Sequence, residues 1–407
     1  MIPRKELKVS EIPYNVDDHI YQRFPMRRQA FATVGWQDTG KFGDAFFLDK
    51  MMTNMVQKMT KNKEGYLQSD IALDLGANTL NLLLGNYGVA NSQFLKWESL
   101  FAPKMITDNK VNLPPAKLTE MVKEAASLYG ADLTGIATLD SRWVFSHDLE
   151  VKPFLITGSE QPLENDEAFI IPTSVNKVIV MAVMMDEKLL STSPAIPAST
   201  ASSLGYSRMG ITVVAVAEYI RTLGYTAIPC MNDTALSIPL AVDAGLGELG
   251  RHGLLITPEY GSNVRLCKVL TDMPLLDDKP VNFGIKEFCD NCLLCVEHCP
   301  PRAISAEQPK MQGCCDNNNH GVHKWYINGE KCLRFWQSNG ASCANCIAVC
   351  PFTTGFLSEY CQQCEKCDTT CGCSLQVNTY LRSKYGYLQA GKWGDKQEIQ
   401  TPLRRGL

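Results

Sequence analysis

The sequence predicts an α+β protein of the three-layer α/β kind, followed by a separate cysteine-rich C-terminal module. Three observations carry this. A continuous apolar, β-branched run at residues 177–186 reads as a strand buried on both faces. A long helix-period stretch follows at 201–223, and a second strand pattern appears at 264–271. Finally, of the 17 cysteines only Cys230 and Cys267 precede residue 289, so the chemistry of the chain changes abruptly near residue 283.

The elements can be justified in order. Residues 1–100 are mixed, with Trp36, Trp97 and several glycine turns, and form an N-terminal region. The core runs over 101–283. Within it, residues 117–129 place Leu118, Met121, Val122, Ala125 and Leu128 on one helical face. Residues 151–176, inside an insertion of about 140–176, contain Pro, Glu and Asn and read as a surface connection. In the 201–223 helix Met209, Val213, Val216 and Ile220 recur at helical spacing, and Gly224 ends it. A short strand at 225–229 and a helix at 237–244 come next. Gly245, Gly247, Gly250 and Gly253 then make a turn-rich passage before strands at 254–257 and 264–271. Residues 284–355 form the cysteine module, and 356–407 a cysteine-rich tail.

Composition excludes some function classes. The formal net charge is −4 and the pI about 5.9, which gives no nucleic-acid-binding balance. No run of 18 apolar residues exists; the longest is 178–185, of strand length. The first residues carry no apolar signal region. Clustered short cysteine spacings point to metal thiolates rather than a disulfide framework.

Cys289, Cys292, Cys295 and Cys299-Pro300 form C-x2-C-x2-C-x3-C-P, the bacterial ferredoxin run. The x2 spacings let three thiolates converge on one cuboidal cluster, and the fourth cysteine serves the neighbouring one. Cys332, Cys343, Cys346 and Cys350-Pro351 repeat the pattern with a stretched first interval. Crossing the fourth ligands predicts two [4Fe–4S] clusters in a ferredoxin-like domain. One uses Cys289, Cys292, Cys295 and Cys350; the other uses Cys332, Cys343, Cys346 and Cys299. Cys314 and Cys315 are the substitutes for Cys332. A third run, Cys361, Cys364, Cys367, Cys371 and Cys373, lacks the proline. It reads either as a third metal site or as a tail of free thiols or disulfides.

Two clusters transfer electrons but choose no substrate, so the core must hold the acceptor. No G-x-G-x-x-G follows a strand, which argues against a nicotinamide site. A cobalamin motif of the D-x-H-x-x-G type fails at Gln22, and His19 reads as a surface histidine.

The stretch from Tyr206-Ser-Arg-Met-Gly210 through residues 220–275, with the following FCDNCLLCVEHCPPRAIS, resembles the cobalamin-binding core and first cluster motif of the reductive dehalogenases. The likeness covers about residues 170–355. It implies a nitroreductase-like core, with residues 1–100 covering a base-off corrinoid whose cobalt has no protein ligand below. It implies Tyr206 as proton donor, with Arg265 stabilising the phenolate and Asn232 bonding in the same pocket. Ser202, Met209, Gly245, Gly247, Gly250 and His252 are the implied corrinoid contacts; the glycines would let backbone approach the nucleotide tail. Trp336 and Trp97 are the implied substrate-pocket walls.

The reaction implied is loss of halide from a small organohalide, with a lean to chlorinated alkanes or alkenes. The competing readings are an epoxyqueuosine reductase-like enzyme acting on tRNA, and a cluster-only electron carrier. Family members imply an electron-donating respiratory chain component, a small membrane anchor protein, and a place at the outer face of the cytoplasmic membrane reached through a twin-arginine leader. Arg27-Arg28 is no such leader, so a cytoplasmic location is the alternative. A homodimer is the expected assembly if the chain is not monomeric.

Overall fold

The structure, a computed structural model, describes residues 5–6, 14–39, 45–75, 77, 97 and 110–353. Near the N-terminus lie α1 (Ala30–Thr39) and α2 (Ala45–Thr60). The core then begins with α3 (Pro115–Leu128), β1 (Leu133–Thr138), β2 (Lys177–Met184) and α4 (Ile196–Thr222). It continues through β3 (Ala227–Cys230), α5 (Ser237–Asp243) and β4 (Val264–Thr271).

These strands form one antiparallel sheet in the order β1-β2-β4-β3. Period-two alternation sends Ile179, Met181 and Val183 to one face and Val178, Val180 and Ala182 to the other. The first face packs on Leu118, Val122 and Ala126 of α3 and on Met209, Val213, Val216 and Ile220 of α4. The second packs on Leu240 and Ala241 of α5 and on Trp143, Phe145, Phe154 and Phe169. Burial on both faces is why the β2 run is apolar without alternation.

Helix α4 begins five residues earlier than its periodicity predicts. Pro197 sits in its first turn, where the missing N–H costs no hydrogen bond. Its small residues from Ile196 to Ala201 are buried and mask the apolar period.

Residues 151–176 are not a surface connection. Phe154–Thr157 pairs in parallel with Phe169–Pro172, which also pairs with Leu163–Glu164. Phe154 and Phe169 stack at 4.7 Å and 17°, and both are fully buried. Isolated aromatics between polar residues hid this inner wall. Strand expectation at 254–257 is met by Leu255–Ile256, paired with Glu248–Leu249.

Among the described residues the cysteine module holds four helices, α6 (Ile285–Asn291), α7 (Leu294–Glu297), α8 (Gly329–Asn339) and α9 (Asn345–Ala348). α8 packs on α2 and α1. Gly340 ends α8 at φ 72°, and a Cβ there would lie 2.6 Å from the Met55 backbone nitrogen, so only glycine lets the two chains approach so closely. His19 is exposed. The run from Cys361 to Cys373 lies outside the described residues.

Candidate active site and cluster cavities

Tyr206 projects from α4 on the helix-covered face of the sheet. Asn232, just beyond the end of β3, donates from Nδ2 to the Tyr206 hydroxyl at 2.7 Å. Arg265, opposite Val183 in the β4–β2 register, lays its guanidinium 4.8 Å from the Tyr206 ring centroid. Its Nη2 donates to the Ser202 hydroxyl at 2.7 Å, while its buried Nε has no protein partner. Gly205 makes this crossing achievable: a Cβ there would come within 2.9 Å of Arg265 Cγ. One phenol, one amide and one cation therefore meet at one end of the sheet, on three separate elements.

The turn that carries Asn232 is held from below. Lys268, fully buried on β4, donates to the Met231 carbonyl at 2.7 Å and to Ser237 Oγ at 3.1 Å. Asp233 accepts from the Met231 N–H at 3.0 Å and from Thr234 Oγ1 at 2.8 Å. Burial pushes the Asp233 carboxyl up and the Lys268 ammonium down, and each charge partly offsets the shift of the other. Sequence reading missed both residues, because a lysine in an apolar strand run carries no signal of its own depth.

The other residues expected around the cofactor have the following surroundings. Met209 is 0% exposed inside the helix–sheet core, so its side chain meets only protein. The Cβ-less sides of Gly245, Gly247 and Gly250 face Lys279 O, Ile256 O and the Ile256 and His252 side chains. Glycine is required there by protein packing. Ser202 serves Arg265. Trp97 packs in the core of the opposite sheet face, its ring 5.6 Å from Phe169. Trp336 packs edge-on against Phe31 at 5.8 Å, beside Val34 and Leu333.

Cys289, Cys292, Cys295 and Cys350 are all buried and line one cavity with His252, Ile256, Phe288, Leu294 and Phe352. Burial raises all four thiols, Cys292 to about 12, so a cationic centre is needed to hold them as thiolates. Cys299 packs with Cys332 and Cys346. Burial, and then repulsion from Cys343 and Cys299, push Cys332 up to about 12. Cys343 and Cys346 are raised in the same way. The two sets adjoin, since Cys295 and Cys299 pack in one cluster with Cys332 and Cys346. Cys314 and Cys315 sit apart, both thiols turned to Asn318 Oδ1. Among the described residues no three such side chains converge as on a single ion. Cys289, Cys292, Cys295 and Cys350 surround a space instead, as ligands of a polynuclear cluster do.

The loop bearing the second set is pinned by residues with no sequence signature. Ser193 Oγ accepts from the Ala344 N–H at 2.7 Å and donates to Asn345 Oδ1 at 2.6 Å. On the first set, the buried Arg251 guanidinium donates to the Cys289 carbonyl at 2.9 Å and lies 4.5 Å from the Trp325 ring.

Comparison with known proteins accords with this order of parts. The reductive dehalogenase subunit family model matches residues 153–275, and a 4Fe–4S dicluster domain matches 288–354. The chain is 36% identical over 321 residues to the tetrachloroethene reductive dehalogenase of Sulfurospirillum multivorans, covering 73% of this chain and 64% of that one. The chain belongs to the reductive dehalogenase family. A second reductive dehalogenase, the tetrachloroethene enzyme of Dehalobacter restrictus, is 39% identical over 263 residues, covering 57% of this chain and 47% of its own. The chain thus spans between about half and two thirds of these relatives' lengths. Its fold is that of a solved reductive dehalogenase described as acting by B12-dependent dehalogenation: TM-score 0.66 at 20% identity, over 97% of this chain and 50% of that one. In this family member the mixed α/β core carries the Tyr206 site, and the dicluster domain supplies the cysteine sets.

Proposed function

We propose that the chain is a corrinoid-dependent reductive dehalogenase that removes halide from a small organohalide, with a chlorinated alkane or alkene as the favoured substrate. The observation that carries this reading is the Tyr206 hydroxyl held at 2.7 Å by Asn232 with the Arg265 guanidinium over its ring. R–Cl plus two electrons and a proton gives R–H and chloride. Tyr206 supplies the proton from its hydroxyl. The Arg265 cation stabilises the phenolate left behind, and Asn232 orients it. Lys268 and Asp233 hold the Asn232 turn in register. A bound corrinoid would supply the reductant that breaks the carbon–halogen bond. The unpartnered Nε of Arg265, a buried donor left for a ligand, fits a bound group at this end of the sheet. Tyr206, Asn232 and Arg265 are the residues that would meet it.

In the same reading two [4Fe–4S] clusters feed the site. One is held by Cys289, Cys292, Cys295 and Cys350, the other by Cys332, Cys343, Cys346 and Cys299. The donor sets fit: each is four thiols, and burial disfavours their charged form without a metal. Electron delivery by a respiratory chain component, docking to a small membrane anchor protein and a place at the outer face of the cytoplasmic membrane belong to the proposal. No helix among the described residues is long and apolar enough to cross a membrane.

The test is anaerobic purification with metal and corrinoid analysis, then chloride release with reduced viologen across several organohalides. About eight iron atoms per chain, from two four-iron clusters, and stoichiometric cobalt are expected. Full activity without cobalt would overturn the reading. Restoration of tRNA modification in cells would favour the epoxyqueuosine alternative instead.

A further inference from the structure

His252 stands apart from the active-site set. It is buried, and it lines the cavity of Cys289, Cys292, Cys295 and Cys350. Its Nδ1 accepts from the Leu254 backbone N–H at 3.2 Å. An imidazole nitrogen that accepts carries no proton, so the ring proton sits on Nε2. Nε2 is itself buried and has no partner in the protein. A buried N–H without an acceptor is costly and rare, so it marks a place where a ligand supplies the acceptor.

The ring is fixed rather than free. Gly250 leaves room for it: a Cβ at 250 would come within 2.8 Å of His252 Cε1. Arg251, the preceding residue, is tied to the carbonyls of Cys289, Ser305 and Glu307. The backbone under His252 is therefore anchored to helix α6, which bears the first ligand.

We propose that His252 donates an Nε2–H···S hydrogen bond to the cluster held by Cys289, Cys292, Cys295 and Cys350, and so raises the reduction potential of that cluster above its value without the bond. The proposal rests on the reading that these cysteines bind a [4Fe–4S] cluster. Reduction adds negative charge, much of it on sulfur. A donor aimed at sulfur therefore stabilises the reduced form more than the oxidised one. His252 is a positioning and tuning residue: it binds no iron and moves no substrate proton.

The experiment is an EPR-monitored redox titration of the anaerobically purified holoenzyme, comparing wild type with His252→Leu and His252→Gln. The Leu variant should lower one of the two cluster potentials by about 59 mV, a tenfold change in a one-electron equilibrium, and leave the other unchanged. The Gln variant keeps an N–H donor and should recover part of the shift. Unchanged potentials in a Leu variant that retains full iron would overturn the proposal while leaving the cluster reading intact. Iron content that Cys289→Ser leaves unchanged in the anaerobically purified protein would overturn the cluster reading itself. Should the Leu variant not load iron, histidine-15N protein decides, in a His298→Gln background that removes the histidine next to the ligand Cys299. A 15N coupling on one reduced cluster is then expected, and its absence would refute the bond.

Discussion

Replacing Tyr206 by Phe removes one oxygen and leaves the rest of the site in place. The ring keeps its packing under the Arg265 guanidinium, 4.8 Å away, and α4 is undisturbed. The lost contact is the 2.7 Å bond from Asn232. Asn232 is exposed, so its amide turns to water and the stability cost falls at the low end of about 0.5–1.5 kcal/mol. The chemical cost is larger. Proton delivery by a positioned acid is worth roughly 10²–10⁴ in rate. At about 1.36 kcal/mol per decade that is about 3–5 kcal/mol of barrier. The two scales differ several-fold, so activity and folding should separate. Chloride release under reduced viologen should fall at least a hundredfold, with cobalt, iron and thermal midpoint near wild type. A variant that keeps more than a tenth of its activity at equal loading would refute Tyr206 as the proton donor. So would a loss of activity that merely tracks lost cofactor.

Met209→Ala should cost about 2–5 kcal/mol of stability, because Met209 is wholly enclosed by core side chains, while cobalt per chain stays constant. A cobalt loss without a fall in thermal midpoint would restore it as a cofactor contact. Cys350→Ser should remove one cluster's EPR signal and lower bound iron, whereas Cys314→Ser should leave both unchanged; equal effects of the two would contradict the ligand sets. Asp243 accepts from Tyr14 at 2.7 Å and from Trp143 at 3.1 Å, and burial raises its carboxyl pKa to about 6. A raised folded-state value means that the proton is held more tightly on folding. The stabilisation is therefore full below the ordinary carboxyl range and lost as pH rises through about 6. Chemical denaturation across pH 4–7 should show wild type losing at most about 3 kcal/mol relative to Asp243→Asn over that rise. A difference that is flat with pH would show that Asp243 does not titrate this way.

Local order was enough to reveal much of this protein. Buried strands are continuous when both faces are covered, so β2 was legible as a run, while β4 was legible as an alternating strand pattern. Helical period exposed the middle of α4 through Met209, Val213, Val216 and Ile220. The cysteine spacings named two cluster-type runs because thiolates of one cluster must come from short, regular intervals. What the spacings leave open is which distant residues complete a site. The crossed pattern already joins Cys350 to Cys289, Cys292 and Cys295, but leaves Cys332 in competition with Cys314 and Cys315, and only the packed chain turns those two towards Asn318. Likewise Tyr206, Asn232 and Arg265 lie on separate elements and meet because β4 pairs with both β2 and β3 under α4. The same packing turns Met209 inward and sends Trp97 to the far face of the sheet. It also gives Lys268 and His252 their depth. Residue type and spacing along the chain set which chemistry is available. Burial, partner and direction depend on contacts between segments distant in sequence, and those exist only once the sheet has closed.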